Sequence, residues 1–194
     1  MKHYALTGGI GSGKSTVLGM FKKMGIPTFS ADDSAKHAMQ YNPDVKAKII
    51  AIFGDTAYKG DAPNRALLAE QVFQDKAKLE ALNAVVHPAA KEAYAQWQDA
   101  QDAPYTMYEF PIVFELGAQD RFDGVVLVTA PKKERIRRVR NRDKVSEAAV
   151  RARMLNQWAD EQKVPLADFV IENTDLSSTA SQVNALHQHL LKQE

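Results

Sequence analysis

The segment Leu6-Thr7-Gly8-Gly9-Ile10-Gly11-Ser12-Gly13-Lys14-Ser15-Thr16 constrains this chain more than any other. Gly8, then four residues, then Gly13-Lys14-Ser15 is the phosphate-binding spacing G-x-x-x-x-G-K-[ST]. Each part has a physical task. Glycines let the backbone take positive φ and bring its N–H groups close to phosphate oxygens. Lys14 supplies a point charge for β- and γ-phosphates, and the Ser15 hydroxyl can ligand Mg²⁺. The helix that starts here aims its partial positive charge at the anion. At ordinary glycine usage the bare pattern arises by chance in roughly one chain of this length in a hundred, and context lowers that. A working loop needs a strand before it and a helix after it. Tyr4-Ala5-Leu6 reads as a short apolar strand. Val17, Leu18, Phe21 and Met24 recur at helical spacing, and Gly25 ends the run.

The rest of the chain reads as a parallel α/β sheet with an insertion. Ile26 to Ser30 reads as a second strand, followed by Asp32 and Asp33, with a helix starting near Ser34. From about 42 to 101 the character is helical: Pro43 opens a run with Val45, Ile49, Ile50 and Phe53. Leu67, Leu68, Val72 and Phe73 continue the spacing. Leu79, Leu82, Val85 and Val86 follow, and Ala89 to Trp97 reads as a further segment. Tyr105 to Phe110 alternates as a strand. Val125 to Thr129 is a continuous apolar run, expected for a strand buried on both faces. Pro131 suits the first turn of the next helix. Arg135 to Lys163 is a charged helical excursion, Phe169-Val170-Ile171 a last strand, and Ser177 to Leu191 a closing helix. The 194 residues fit one domain with an inserted lobe.

Net charge is +1, so nothing global points to nucleic acid or a membrane surface. The chain has no cysteine, which removes disulfides, thiol catalysis and zinc-thiolate sites. No apolar stretch is long enough for a membrane span. The first strand begins at once, leaving no room for a signal peptide, and a cytoplasmic setting is expected.

Two further clusters carry chemistry. Ligands of open α/β sheets bind beyond the carboxyl ends of the strands, where Asp32 and Asp33 stand. In an extended segment Ser30 and Asp32 share a face, which turns Asp32 toward the nucleotide and leaves Asp33 to begin the helix. Both carboxylates also suit a helix start. Arg135, Arg138 and Arg142 share a helix face, with Arg137 off it. For most of these arginines a solvated basic face is the expectation, with one or two reaching a transferring phosphoryl group. His87-Pro88 lies in the helical lobe, where a histidine before proline is usually a capping or packing residue.

These segments together resemble the dephospho-CoA kinase family. Leu6 to Val17 is close to the family's opening, and Ser30-Ala31-Asp32 stands where it has Asp-Ala-Asp. Asn64-Arg65 to Leu68 resembles its arginine-leucine segment, and Val86-His87-Pro88 its HP pair. Pro111-Ile112-Val113-Phe114-Glu115 resembles its PLLFE. Arg138, Arg142-Asp143 and Arg153 with Gln157 resemble its lid pattern. Ala167-Asp168 and Ile171-Glu172-Asn173 resemble its closing AD-x-x-I-x-N. The resemblance implies a P-loop, nucleoside-monophosphate-kinase-like α/β fold with a five-stranded parallel core (1–41, 102–142 and 164–194), a helical acceptor lobe (about 42–101) and a lid (about 143–163). It implies transfer of phosphate from ATP, with Mg²⁺, to the ribose 3′-hydroxyl of dephospho-CoA, the last step of coenzyme A synthesis. Gly8, Gly9, Ile10, Gly11, Ser12, Gly13, Lys14, Ser15 and Thr16 would then bind the ATP phosphates, with Ser15 on the metal. Asp32 would orient or deprotonate the hydroxyl, and Lys14 and Arg142 would act on the phosphoryl group. Arg65 and His87 would lie on the acceptor side, and Asn173 near the adenine. Ser30 departs from the family's first Asp, so the base is placed at Asp32.

Two rivals remain at this stage. One is a P-loop kinase for another small acceptor, such as a nucleoside monophosphate or a sugar acid. The other is a nucleotide-dependent regulatory module. A guanine switch would carry an Asn-Lys-x-Asp base reader, which this chain lacks.

Overall fold

The computed structural model describes residues 1–192, and of Phe73 and Gln74 the backbone alone. The Phe73 side chain, expected on the lobe's apolar stripe, and residues 193–194 lie outside the described residues. The elements run β1 (Lys2–Thr7), α1 (Lys14–Lys23), β2 (Thr28–Ser30), α2 (Ala31–Tyr41), α3 (Pro43–Phe53), β3 (Tyr58–Lys59), β4 (Ala62–Pro63), α4 (Arg65–Gln74) and α5 (Lys76–Asp99). They continue β5 (Tyr105–Glu109), β6 (Gly124–Thr129), α6 (Lys132–Asp143), α7 (Glu147–Met154), α8 (Asp160–Lys163), β7 (Phe169–Glu172) and α9 (Leu176–Leu190). Two compact units result: Met1–Phe29 with the chain from Asp102 onward, and Ser30–Gln101. Among the described residues no helix is long and apolar enough to cross a membrane.

The first unit is built on a parallel sheet in the order β2-β5-β1-β6-β7. The central strand β1 pairs with β5 through Leu6 opposite Glu109, and with β6 through Thr7 opposite Leu127. This register brings the carboxyl ends of the central strands level beside the glycine loop. Val125 to Val128 are buried, as a continuous apolar run requires. Burial of each such side chain stabilises by about 1.5–3 kcal/mol. Strand β5 departs from the alternation expected of it, because all five of its residues are buried. It lies inside the sheet, with both faces covered, so Thr106 and Glu109 are buried with their apolar neighbours. Tyr4, Val17, Phe21, Tyr105, Met107, Val183 and Leu190 join one core cluster, which fixes α1 and α9 against the sheet.

The second unit has its own core of Val45, Ile49, Phe53, Tyr58, Leu68 and Val86. Helix α2 packs with α3 and α5 inside this unit. Two corrections to the sequence reading fall here. The expected break at His87-Pro88 is absent, and Lys76 to Asp99 is one helix with Pro88 inside it. A proline at this position removes the bond to the carbonyl of Ala84. Ala84 and Pro88 are both exposed, so water can satisfy that carbonyl. The short hairpin β3-β4, turned at Gly60-Asp61, lies outside the sequence expectations. Its Gly60 has φ 64, and Lys46 holds the turn through Asp61 at 2.9 Å.

Candidate active site

The loop between β1 and α1 needs its glycines for two reasons, and the structure emphasises the second. Gly8, Gly11 and Gly13 have φ of 146, 79 and 97, a region disfavoured for side chains. The loop also lies tight against protein. A Cβ at Gly8 would strike the Val128 carbonyl, and one at Gly9 the Arg135 guanidinium. At Gly11 it would meet the Arg135 carbonyl, and at Gly13 the Asn173 amide. Helix α1 then opens with no side-chain cap and no acidic residue in its first turn. Its partial positive charge thus meets no carboxylate of its own first turn, which suits an anion, while the N–H groups of Thr16 and Val17 bond to the Gly13 carbonyl. Lys14 folds back over the loop, its Nζ donating to the Gly8 carbonyl at 2.9 Å and to that of Gly9 at 3.4 Å. Ser15 and Thr16 are exposed, and Ser12 is buried.

The arginines of α6 divide by what they touch. Arg135 is buried, against the expectation of a solvated face. Its Nε donates to the Ile10 carbonyl at 3.0 Å, and it pairs with Asp160 at 2.9 Å. Arg138 donates to the carbonyls of Ser12 at 3.2 Å and Asn173 at 2.8 Å. Arg137 is exposed and pairs with Glu134 at 2.7 Å. Arg142 is 65% exposed and grips Asp143 through two bonds of 2.7 and 3.2 Å. Arg153 reaches the same carboxylate at 2.7 Å. Hydrogen bonding from Arg142, with Arg153 adding to it, holds the Asp143 carboxyl below the usual carboxylate range. Because the folded value is depressed, this clasp is present at neutral pH. It is lost only as pH falls below that range.

Asn173, expected near the adenine, has its side chain fully engaged beneath the loop. It is buried, donates to the Ser12 carbonyl at 2.8 Å and accepts from the Thr179 hydroxyl at 3.1 Å. Gln157 stands out in the sequence only as part of the lid pattern. Its Oε1 accepts from the Ile10 N–H at 2.8 Å. Among the described residues, then, the loop is braced by Arg135, Arg138, Gln157 and Asn173.

The residues expected on the acceptor side belong to the other unit. Asp32 is not in an extended segment, which corrects the strand-face argument. Helix α2 starts at Ala31, with Ser30 as its N-cap accepting from the Asp33 N–H at 3.3 Å. Asp32 and Asp33 both lie in the first turn and are exposed. Asp33 pairs with Lys36 at 2.8 Å. Arg65 opens α4 and is exposed, and His87 is exposed in mid-α5.

A glycine loop between a central parallel strand and an uncapped helix, under a basic helix, defines a P-loop protein. The comparison with known proteins narrows this. The family model described as dephospho-CoA kinase matches residues 3–178, and the chain belongs to that family. A dephospho-CoA kinase of Salinibacter ruber is 42% identical over 177 residues, covering 89% of this chain and 89% of that protein. A crystal structure from Thermus thermophilus superposes with TM-score 0.86 at 34% identity, covering 100% of this chain and 98% of that one. The dephospho-CoA kinase of Campylobacter jejuni gives TM-score 0.71 at 28% identity, covering 98% of this chain and 97% of that one.

Proposed function

We propose that this chain transfers the γ-phosphoryl group of ATP to the ribose 3′-hydroxyl of dephospho-CoA, giving coenzyme A and ADP. The family match over residues 3–178, with the intact glycine loop inside it, carries this reading. The bond from the γ-phosphorus to the β–γ bridging oxygen breaks and a bond to the 3′-oxygen forms. The hydroxyl proton goes to the Asp32 carboxylate. The loop from Gly8 to Thr16 and the Lys14 ammonium hold the phosphates, although the N–H groups of Ile10, Ser12 and Thr16 are taken up by Gln157 Oε1 and by the Gly9 and Gly13 carbonyls. Residues 143–163 act as a lid, and the helical lobe, with Arg65 and His87, receives the acceptor.

The uncapped start of α1 and its exposed Ser15 hydroxyl fit a phosphate-bound Mg²⁺. Among the described residues no cluster of His, Asp or Glu would hold a metal alone. The nucleotide phosphates would therefore supply most of its ligands. When bound, the ion offsets charge on the β- and γ-oxygens.

The reading is tested by incubating the purified protein with ATP and Mg²⁺. ADP should form only when dephospho-CoA is added. Equal turnover with a nucleoside monophosphate, or hydrolysis indifferent to any acceptor, overturns it.

Arg142 is the arginine assigned to the phosphoryl group, because its companions on the same face are committed to the loop. Arg142→Ala should lower kcat by roughly a hundredfold, the scale of a lost transition-state donor. Arg137→Ala should change it little. Lysine at 142 should rescue only in part, since it cannot donate bidentately. Equal and small effects at 137 and 142 in steady-state assays would return Arg142 to the solvated face.

A further inference from the structure

We infer that Gln157 and Asp160 are positioning residues for the phosphate loop, acting together on the main chain of Ile10, one on each of the two peptide units that meet at its Cα. The inference rests on the kinase reading for what the loop binds, and on geometry for how the loop is held. Both main-chain groups of Ile10 are taken up, the N–H by the segment that follows α7 and the carbonyl by Arg135 of α6, which that segment holds in turn. Its N–H donates directly to Gln157 Oε1 at 2.8 Å. Its carbonyl accepts from Arg135 Nε at 3.0 Å, and the same guanidinium is held by Asp160 at 2.9 Å. Arg135 and Asp160 are only 10% and 18% exposed, so their contact is shielded from solvent.

The segment itself is anchored. Trp158 donates its N–H to Glu115 Oε1 at 3.0 Å. The Lys163 ammonium, fully buried, lies 2.7 Å from the same oxygen. Gln162 Oε1 accepts from the Ala159 N–H at 3.1 Å and braces the turn between them. Residues 158–163 are thus pinned near both ends, with Gln157 just before the first anchor reaching Ile10 directly and Asp160 between the anchors reaching it through Arg135.

The loop has little freedom to compensate. Arg135 fills the space beside Gly9, and its carbonyl sits against Gly11. Ile10 lies between these two glycines. A peptide flanked by glycines is the part of the loop whose orientation the chain itself specifies least. Gln157 and the Asp160–Arg135 pair specify it from outside. Neither Gln157 nor Asp160 needs to touch the nucleotide to act this way. They set where the N–H groups after Ile10 point before the triphosphate arrives.

Gln157→Met keeps the side-chain length and removes the acceptor. Asp160→Asn keeps the shape and removes the charge that orients Arg135. Affinity for a non-hydrolysable ATP analogue, measured by calorimetry, should fall roughly five- to tenfold in each, the scale of one lost hydrogen bond. KM for dephospho-CoA should stay within twofold. In the double variant the losses should be less than additive, because both act through the main chain of one residue, Ile10. The thermal midpoint without nucleotide should change little for Gln157→Met. Analogue affinity within twofold of the parent in both single variants overturns the inference. So does a loss that tracks lowered thermal stability and raises both KM values alike. If Gln157→Met does not fold, Asp160→Asn is read by the same criteria. Analogue binding is measured without the acceptor, so a failure of the dephospho-CoA assay leaves this test standing.

Discussion

Lys14→Ala is expected to lower turnover by roughly a hundredfold or more while the fold survives. The charge at stake is aimed where negative charge is densest. Electrostatic clamps of this kind are worth about 3–4 kcal/mol in the transition state. The Lys14 ammonium is held over the loop by the Gly8 and Gly9 carbonyls at 2.9 and 3.4 Å. It is therefore oriented before any phosphate binds, and little reorganisation is needed when one does. The fold should tolerate the change, because Lys14 is the first residue of α1 and alanine is the best helix former. The buried anchors of that helix, Val17 and Phe21, are untouched. Turnover with saturating ATP and dephospho-CoA, beside a thermal melt, separates the two effects. Near-normal turnover in a well-folded Lys14→Ala protein would remove Lys14 from the machinery.

The strands of the parallel sheet, the glycine loop and most helices were legible because each rests on local signals, whereas the short β3-β4 hairpin was not. An apolar run such as Val125 to Val128 has one stable home, the middle of a sheet. The glycine spacing before Lys14 likewise has few uses. What stayed hidden depends on contacts distant in sequence. Arg135 and Arg137 look alike in a basic run. One is buried because Gly9 and Gly11 leave room for it beside the loop, and the other faces solvent with Glu134. Asn173 was placed near the adenine by the resemblance alone, which says nothing of what its side chain holds. Its amide reaches back across the chain to the Ser12 carbonyl. Ala89 to Trp97 read as a segment separate from Leu79 to Val86, yet one helix runs through Pro88, with Ala84 exposed so that water can reach its carbonyl. The spacing from Arg135 to Arg138 to Arg142 did signal a shared face. It could not say that the first two donate to loop carbonyls while the third clasps Asp143.

Asp32→Asn is expected to lower kcat by about 10²–10⁴-fold, the usual cost of losing a general base. The structure changes the grounds for this. Asp32 lies in the first turn of α2, so no strand face turns it toward the nucleotide. A different distinction replaces it. Asp33 is already engaged, its N–H capped by Ser30 and its carboxylate paired with Lys36 at 2.8 Å. Asp32 has no ion pair among the described residues, so its carboxylate is available to a hydroxyl. Ser30, the departure from the family's first Asp, is employed as the N-cap, so that position need not supply a second base. Asparagine at 32 keeps the size and removes the charge and the proton acceptor. ATP affinity should hardly change, because the lost interaction forms mainly in the transition state. Phosphoryl transfer has a loose transition state with little early proton transfer, which places the expected loss toward the lower end of that range. Asp33→Asn should leave kcat within a few-fold and act on stability, by loss of the exposed Lys36 pair. Steady-state kinetics on both variants, with ATP affinity measured separately, decides between them. A dead Asp33→Asn enzyme beside a normal Asp32→Asn enzyme would move the catalytic carboxylate one residue along the helix.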